Sequence, residues 1–568
     1  MRPIEMLPRA CATVLLMMMM GMQPTAAADA GFDRMVDDFV LDSLALSPGN
    51  ATQFGYHRHH GLSLDDQLDD FSPAGRDAQR ALLARTETRL AALKPDTLDA
   101  EERADVRIMR DAVGATRLEL DEIQSFKHNP TVYVELVGNA LYTHYTLHYA
   151  PEGERFGHII ERLKRIPTLV RQAESNLVDA AEIWNRVARE ENAGNIDLID
   201  GELRHACPAD LRAAYDQAAA PALTALKSLN TWLEQTLEKH PADWRLGKDL
   251  YAKKFRFTLE TDATPEQLLA AAEADLQKTR ADLSRLAAPA TVEQALATVA
   301  SQHATPSTYM DAAKQALASA TVFVREKHLL DLPANDNLQV IETPVFMRGV
   351  YGVGGFNAAP PLEPKLGAFF WVTPIPSSWP QSRIDSKLRE YNSSGILHLT
   401  VHEAMPGHYV QAEYANAVRP RSRRLLRAIY GNGAYVEGWA VYAQKFMADE
   451  GYQSSTPGYR LTLDKQMLRL LANIILDVRL QTMGMTEQQA MELMTQQTYQ
   501  ESEEATAKLQ RAKLTSCQLP TYYAGLRGWL AARDSYGTRF PNRSSKQFRE
   551  AALREGAVPL PELEKLLN

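Results

Sequence analysis

The chain has 568 residues, of which 45% are hydrophobic and 23% are charged, and its formal net charge is -9. This composition is typical of a globular protein with enough apolar material for a large core. A modestly acidic chain lacks the broad basic footprint of a nucleic-acid-binding protein. The basic run at residues 419–427 is better explained as a solvated helix start than as a nucleic-acid site.

The first residues have the layout of an export signal. Arg2 and Arg9 precede an apolar run, and a stretch of small residues follows it. We therefore expect a signal peptide over residues 1–28, cleaved after Ala28, and a periplasmic or secreted protein. Cys11 begins the apolar run instead of following it, which argues against a lipoprotein. No later run reaches about 18 apolar residues, so we expect no membrane span.

Helical periodicity dominates the region 29–330. Apolar residues between Phe32 and Leu44 recur with the 3.6-residue period of a helix, and Thr264 is a good capping residue for a later one. We expect a mainly α fold, a large multi-helix body with a small β-sheet next to the helix that leads into residues 402–408. A second region, which carries the motifs described below, is predicted over 331–568 with a soft boundary, and one compact body is the alternative.

Three short segments have strand patterns. They begin at Asp249, Asn337 and Gly367, and the last is rich in aromatic and β-branched residues. Between the second and third lies a stretch rich in Gly and Pro, at 349–364, which we interpret as a long ordered loop.

Two cysteines, Cys207 and Cys517, remain once the signal peptide is removed. An oxidising compartment permits a disulfide between them. The spacing leaves this pairing open, and two separate buried thiols are an equal alternative.

Two histidines lie six residues apart in the segment VHEAMPGHYVQ, on a helix that Ser393 or Ser394 is expected to cap. Residues with this spacing are about 120° apart around an α-helix, with roughly 9 Å of axial rise. His402 and His408 on an unbroken helix could therefore not both ligate a zinc ion at about 2.0–2.1 Å.

The residues between the histidines predict a break in the helix. Pro406 donates no backbone hydrogen bond, and its ring would clash with the carbonyl of His402. Gly407 adopts positive φ at little cost. We expect a break over Met405–Gly407 that brings His408 back toward His402.

A catalytic zinc needs a third protein ligand and an open position. Glu437 lies 29 residues after His408 on a second helical segment, and we predict it as the third ligand of one zinc ion. Glu403 is then placed to act as the general base on the attacking water. His398, one turn before the first ligand, is interpreted as a packing or supporting residue.

Three motifs carry a resemblance to a known family. They are HEAMPGH at 402–408, VEGWAVYAQ at 436–444 and RAKLTSCQLPTYYAGLRG at 511–528. They resemble the motifs of the bacterial "domain of unknown function 885" proteins, which look like zincin-type metallopeptidases. The resemblance covers most of the chain after the signal peptide.

The resemblance implies a mostly helical metallopeptidase with zinc held by His402, His408 and Glu437. It also implies that Glu403 is the catalytic base. Two positions depart from the family pattern, because Gln444 and Gln481 stand where a Glu and a His are frequent. Neither is among the proposed ligands, so we do not infer an inactive enzyme.

The late motif implies that Arg511 and Tyr522 face the site as catalytic residues, with Gln518 and Tyr523 nearby as substrate-binding residues. A hydroxyl or guanidinium there would stabilise an oxyanion or hold a substrate carboxylate. Helix packing explains this motif equally well. Asn357 is predicted, from its position in the upstream loop, to border the same cleft and contact substrate.

These observations predict an exported zinc-dependent metallopeptidase that hydrolyses peptide bonds of short peptides. The strand from Gly367 is expected to pair with an extended substrate, by analogy with zincins. Two alternatives remain open: a metal-dependent hydrolase of another amide, such as a cell-wall fragment, and a catalytically silent helical binding protein with a structural metal site. Oligomeric state cannot be read from the sequence.

Overall fold

The computed structural model describes residues 25–333, 337–344, 348 and 352–568. Over these residues the protein is mainly helical, as the periodicity of the sequence predicts, and has two small sheets. The sequence predicts the sheet after position 330, and the second, two-stranded sheet lies within residues 58–63. Most of the predicted signal peptide lies outside the described residues, and its cleavage stays a prediction.

The α-helices are numbered in chain order. They are α1 (Thr25–Ala45), α2 (Pro48–Gln53), α3 (Pro73–Ala91), α4 (Ala100–Leu118), α5 (Ser125–His128), α6 (Thr131–Thr146), α7 (Glu152–Asn176), α8 (Glu182–Asp197), α9 (Arg204–Ala206), α10 (Arg212–Gln235), α11 (Gly247–Leu259), α12 (Pro265–Ala287), α13 (Val292–Ala300), α14 (Tyr309–Glu326), α15 (Gln381–Glu390), α16 (Ser393–Glu403), α17 (His408–Asn416), α18 (Arg421–Ile429), α19 (Gly433–Asp449), α20 (Pro457–Thr482), α21 (Glu487–Glu492), α22 (Ser502–Leu514), α23 (Thr521–Arg539), α24 (Ser545–Arg554) and α25 (Leu560–Leu567). Short 3-10 or π segments lie at Pro95–Thr97, Glu119–Ile123, Leu198–Leu203, Leu237–Lys239 and Leu493–Gln497.

Two helix predictions are confirmed in detail. The apolar stripe of α1 is buried at Phe32, Met35, Val36, Phe39, Val40 and Leu44. Helix α12 begins after Thr264, whose hydroxyl accepts a hydrogen bond from the backbone N–H of Gln267. The Gln267 side chain bonds back to the Thr264 N–H, so that two free backbone donors of the first turn are satisfied.

The strand predicted from Asp249 is wrong, because this segment is helix α11. Its buried residues are Tyr251, Phe255 and Leu259, which are four residues apart and therefore share one helix face. The alternation in the sequence runs over Phe255, Phe257 and Leu259, and only Phe257 lies off the buried stripe. The tertiary contacts of the stripe decide the structure.

The other two strand predictions are confirmed and form a three-stranded sheet. Strand β3 (Leu338–Glu342) pairs parallel with β5 (Ala368–Val372), which occupies the centre. The opposite edge is β4 (Gly354–Asn357), which runs antiparallel to β5 inside the stretch that we predicted as a loop. A Cβ atom at Gly354 would lie 2.3 Å from the carbonyl oxygen of Trp371, so glycine permits this close pairing.

The buried apolar residues form two clusters. The larger extends from α1 to α25 and contains residues from both sides of position 330. The smaller lies within residues 126–237, where α6, α7, α8 and α10 pack together. The predicted division at 330 is not tested by these clusters and stays a prediction.

Two further features concern export and cross-linking. Cys207 and Cys517 are buried and free, so the disulfide alternative is not realised in the structure. None of the helices in the described ranges is long and apolar enough to cross a membrane.

Candidate metal centre

The helix that carries the first histidine ends where the sequence predicts a break. Helix α16 ends at Glu403 and α17 begins at His408, so the break over Met405–Gly407 is confirmed and starts one residue earlier, at Ala404. A Cβ atom at Gly407 would lie only 1.8 Å from the backbone carbonyl oxygen of His402. Glycine is therefore required for the chain to turn back so closely.

The capping residue of α16 differs from the prediction. The side chain of Asn392, not of Ser393 or Ser394, accepts hydrogen bonds from the backbone N–H groups of Ser394 and Gly395, both at 3.1 Å. Asn is as good a cap as Ser, and its position one residue earlier lengthens the helix.

Helix α19 supplies both the third predicted ligand and a support for the break. Asn432 caps this helix, and Glu437 lies in its second turn. Trp439, two residues later, donates its indole N–H to the carbonyl oxygens of Pro406 and Gly407, at 2.9 and 3.1 Å. Trp439 stands inside the second motif, but no local pattern in the sequence indicates this contact.

The three predicted metal ligands converge. The Oε2 atom of Glu437 lies 3.4 Å from Nε2 of His402 and 3.5 Å from Nε2 of His408. One ligand atom from each residue lies within 4.8 Å of the other two. Two ligands bound tetrahedrally to zinc at about 2.1 Å are separated by about 3.4 Å. The spacing therefore fits a zinc ion held between these side chains.

The electrostatics of the group also fit a cation. The Oε2 atom of Glu437 is buried, and within the described part of the chain it has no hydrogen-bond partner. A buried carboxylate oxygen without a partner costs free energy unless a cation neutralises it. Burial alone would raise the pKa of Glu437, but His402 and His408 hold it well below its ordinary value. Two imidazoles and a carboxylate are ligands that zinc accepts.

Glu403 lies beside the three ligands without being one of them. Burial raises the pKa of this carboxyl to about 7, with Glu437 adding to the shift and His402 opposing it. The backbone N–H of Phe356, in β4, donates a hydrogen bond to the carboxylate. A carboxyl with a pKa near neutrality is suited to exchange a proton with substrate.

Three residues of the late motif form a chain of hydrogen bonds next to this group. The guanidinium of Arg511 donates to the Oε1 atom of Gln518 at 2.9 Å, and the Nε2 atom of Gln518 donates to the Tyr522 hydroxyl at 3.3 Å. The ring of Tyr522 lies 6.3 Å from that of His402, centre to centre. Burial, assisted by Glu437, raises the pKa of Tyr522 to about 12, so its hydroxyl stays protonated and can donate.

The structure does not bring Tyr523 to the same place. Its hydroxyl bonds to the carboxylate of Asp275 at 2.7 Å and accepts a hydrogen bond from Arg527. Adjacent helical residues point about 100° apart, so Tyr522 and Tyr523 cannot both face the centre.

Asn357 lies on β4, the strand next to the candidate centre, but its neighbour Phe356 makes the contacts with the centre. The ring of Phe356 lies 6.4 Å from that of His408, centre to centre. Successive strand residues point to opposite faces, so the side chain of Asn357 points away from this histidine. Phe356 contributes both its ring and its backbone N–H, and the sequence analysis missed it.

Comparison with known proteins establishes the family. A model of the family described as bacterial proteins of unknown function (DUF885) matches residues 48–567. The chain belongs to this family. The resemblance seen in the three motifs is thereby confirmed at the level of the family, whereas zincin-like chemistry stays a prediction. No curated protein matches the chain.

Two solved structures share the fold. One, from Shewanella oneidensis, is described as a "putative lipoprotein of unknown function"; it is 25% identical with a TM-score of 0.79, covering 94% of this chain and 99% of that one. The other, described as a "putative lipoprotein" from Colwellia psychrerythraea, is 16% identical with a TM-score of 0.78, covering 95% and 98%. The fold of this DUF885 protein is therefore that of both structures.

The departures of this DUF885 protein from the motif pattern are packing residues in the structure. Gln444 donates its side-chain N–H to the carbonyl oxygen of His398 at 3.0 Å. His398 stacks on Tyr459, with ring centres 4.0 Å apart, which agrees with its interpretation as a packing residue. Gln481 accepts a hydrogen bond from the Leu246 N–H, at the end of α20.

The strand expected to pair with substrate is placed differently. Strand β5 has β3 on one side and β4 on the other, so no edge of Ala368–Val372 is open to a peptide. The edge strand nearest to Glu403 is β4. The expectation for the segment from Gly367 is therefore wrong, and β4 takes its place as the candidate.

A cavity of about 460 Å³ opens next to the centre. Glu437 and Gln518 form part of its wall, together with residues of α4 and α11 such as Ala112 and Phe257. A cavity of this size is typical of small-ligand sites.

Proposed function

We propose that this DUF885 protein is an exported zinc-dependent peptidase that cleaves short peptides. The observation that carries the proposal is the position of the Glu437 carboxylate oxygen, 3.4 and 3.5 Å from the facing nitrogens of His402 and His408. No fourth Cys, His, Asp or Glu joins this group in the described ranges. Structural zinc sites normally have four protein ligands, whereas catalytic sites keep one position open.

The position of each side chain indicates the step of hydrolysis that it would serve. Zinc, when bound, would supply Lewis-acid chemistry and lower the pKa of water at the site. Glu403 takes one proton from the water as its oxygen attacks the carbonyl carbon of the peptide. It then returns this proton to the leaving nitrogen as the C–N bond breaks, giving an amine and a carboxylic acid, whose remaining proton passes to the amine or to solvent.

Tyr522 and Arg511 are the groups that would stabilise the developing oxyanion or hold a substrate carboxylate. The hydroxyl oxygen of Tyr522 accepts a hydrogen bond from Gln518, so its own hydrogen is free to point to the substrate. Arg511 is held by the same Gln518 side chain. Donors that are fixed before the reaction stabilise charge without reorganisation, which makes Gln518 a positioning residue.

A peptide is the substrate class that the surroundings favour. The edge strand β4 lies against Glu403 and could add an extended peptide by backbone hydrogen bonds. The cavity of about 460 Å³ beside Glu437 is large enough for a side chain or a short peptide end. The helical body around it favours short substrates over folded proteins.

Export is supported by two independent features. The N-terminus has the sequence layout of a signal peptide. Both structural relatives are described as putative lipoproteins, which are exported proteins. We propose a periplasmic or secreted location, with removal of residues 1–28.

The experiment that tests the proposal compares the protein with Glu403→Gln. We expect about one zinc ion at the centre in both, and a loss of peptide hydrolysis of at least about 10³-fold in the variant, because the amide cannot accept a proton. The measurements are elemental analysis and hydrolysis of a peptide library. Glu503→Gln, a change of an exposed carboxylate on α22, is the matched control and should keep full activity.

Two results would contradict the proposal. If substitution of His402, His408 or Glu437 leaves the zinc content of the reconstituted protein unchanged, these residues do not form a metal centre. If the protein and Glu403→Gln hydrolyse peptides equally fast, Glu403 is not the general base.

A further inference from the structure

A second group of potential metal ligands lies far along the chain from the first, at the N-terminal hairpin. Strands β1 (Arg58–His59) and β2 (Leu62–Ser63) pair antiparallel and are joined by the two-residue turn His60–Gly61. Both turn residues have positive φ, 47° and 85°. The hairpin packs against α1, which carries Asp42.

Three side chains of this region converge in the way that a metal requires. One ligand atom each from Asp42, His59 and His60 lies within 4.8 Å of the other two. The Nε2 atom of His59 is 3.7 Å from the Oδ1 atom of Asp42, and the two imidazole rings are 4.2 Å apart, centre to centre. Ligands of a tetrahedral zinc are about 3.4 Å apart, so small rotations of the side chains would complete the site.

The remaining polar atoms of two of these side chains are already held. The hydroxyl of Tyr56 lies 2.9 Å from Nδ1 of His59, which leaves Nε2 for another partner. The guanidinium of Arg85 donates to Oδ2 of Asp42 at 2.6 Å, which leaves Oδ1. Such outer partners fix ring tautomers and carboxylate directions in protein metal sites.

We propose that Asp42, His59 and His60 form a second site for a divalent transition-metal ion of the zinc class. Two imidazoles and one carboxylate favour zinc, nickel or copper over calcium or magnesium, which prefer ligand sets made of oxygen alone. The site shares no residue with the candidate centre and does not depend on the proposed function.

The residues just before the hairpin contact the segment that follows β4. The backbone N–H of Leu362 donates to the carbonyl oxygen of Phe54 at 3.2 Å, and His57 lies 3.3 Å from the carboxylate of Glu363. An ion that ties the hairpin to α1 would therefore stabilise the region on which this segment rests. We expect a structural role for the second site, detectable as a rise of the melting temperature with zinc.

The test measures zinc by equilibrium dialysis and locates it by anomalous X-ray scattering. We expect about two ions per chain in the full protein and about one in His60→Asn, with the remaining ion at His402. Asn–Gly is a preferred sequence for a two-residue hairpin turn with positive φ, so this variant removes a ligand and preserves the turn. His303→Asn, which changes an exposed histidine outside the group, is the control for weak surface binding.

The outcomes separate the two sites. A single bound ion in the full protein, located at His402, or an anomalous peak that stays at the hairpin in His60→Asn, would overturn the second site. If His402→Ala loses one ion and keeps a zinc-dependent rise in melting temperature, and adding His60→Asn to that variant abolishes the rise, the second site is supported. A single ion at the hairpin alone would support this site and contradict the candidate centre.

Discussion

Two buried groups of charged residues in this protein differ in how their carboxylates are neutralised. The first group includes Glu504 of α22, whose carboxylate lies 2.7 Å from the ammonium of Lys387. In the same group, the carboxylate of Glu390 lies 2.7 Å from the ammonium of Lys465. Arg469 lies between them, 3.6 and 3.7 Å from the two carboxylates. We call these five residues the charge cluster.

The candidate metal centre has no such cation. Among the described residues, no lysine or arginine lies within 4 Å of the Glu437 carboxylate, whose partners within that distance are the imidazoles of His402 and His408. Arg511 acts on it from farther away.

In the charge cluster even the Oε1 atom of Glu390, which has no hydrogen bond, lies 3.6 Å from the guanidinium of Arg469. The Oε2 atom of Glu437 has neither a hydrogen bond nor a lysine or arginine within 4 Å among the described residues, which is the difference expected between a structural ion-pair network and a ligand site.

The largest effect should follow from removing the unpartnered carboxylate. Glu437→Ala should reduce zinc at the candidate centre below detection and lower peptide hydrolysis by more than about 10³-fold, because two histidines alone hold zinc weakly. The melting temperature without zinc should change little, since no ion pair with a lysine or arginine is lost. Anomalous X-ray scattering at the candidate centre, peptide hydrolysis and thermal melting check these outcomes.

Asp449→Ala is the control on the same helix, since this carboxylate pairs with Lys445 and Arg460 at the surface. It should keep zinc and activity. Unchanged zinc affinity in Glu437→Ala would mean that the carboxylate is not a ligand, and the comparison with the charge cluster would fail.

The charge cluster should respond in the opposite way. Glu504→Gln leaves the buried Lys387 without its main anion and removes one of the two carboxylates beside Arg469. Breaking a buried ion pair on one side typically costs about 3–5 kcal/mol of unfolding free energy. Zinc content should not change. Urea unfolding measures the free energy, and Glu503→Gln, the exposed neighbour on α22, should cost less than about 0.5 kcal/mol. A loss of zinc in Glu504→Gln with normal stability would reverse the comparison.

Lowering the pH should test the role of the ion pairs in the charge cluster directly. Burial alone would raise the pKa of Glu504, but Lys387 and Arg469 lower it to about 2. A carboxyl with a lowered pKa stabilises the folded state above its unfolded pKa, about 4.5, and this stabilisation is lost as the pH falls toward 2. Unfolding free energies of the protein and of Glu504→Gln, measured from pH 6 to about 2, should therefore converge. Parallel curves over this range would mean that the ion pair is not what holds this carboxyl ionised.

The sequence predicts the candidate centre better than it predicts the surroundings. The spacing of His402 and His408, with Pro406 and Gly407 between them, requires a break in the helix, and the structure has one. This inference succeeded because helix geometry and proline sterics are local properties. Neighbours that are distant in the chain, such as Phe356, could not be derived from local rules.

The errors at strands and loops have the same origin. The segment of α11 alternates in polarity, but Tyr251, Phe255 and Leu259 are buried through contacts with other helices, and those contacts decide its structure. Gly354 is typical of loops, yet it pairs with Val372 and lies close to the carbonyl oxygen of Trp371, which makes it part of a strand. Both outcomes depend on the partner that the chain meets in space.

The smallest expected effect concerns Tyr522 and Tyr523, which are adjacent in α23. Tyr522 lies next to the candidate centre, whereas Tyr523 is bonded elsewhere. Tyr522→Phe removes a hydroxyl next to His402 and should lower kcat by about 10²-fold with zinc content unchanged, if that hydroxyl donates to the oxyanion. Tyr523→Phe removes a hydroxyl that already bonds to Asp275, at 2.7 Å, and should leave kcat unchanged. Steady-state kinetics on one peptide check both. An equal loss in the two variants would indicate that α23 contributes only packing, whereas a rise of KM alone in Tyr522→Phe would assign its hydroxyl to substrate binding.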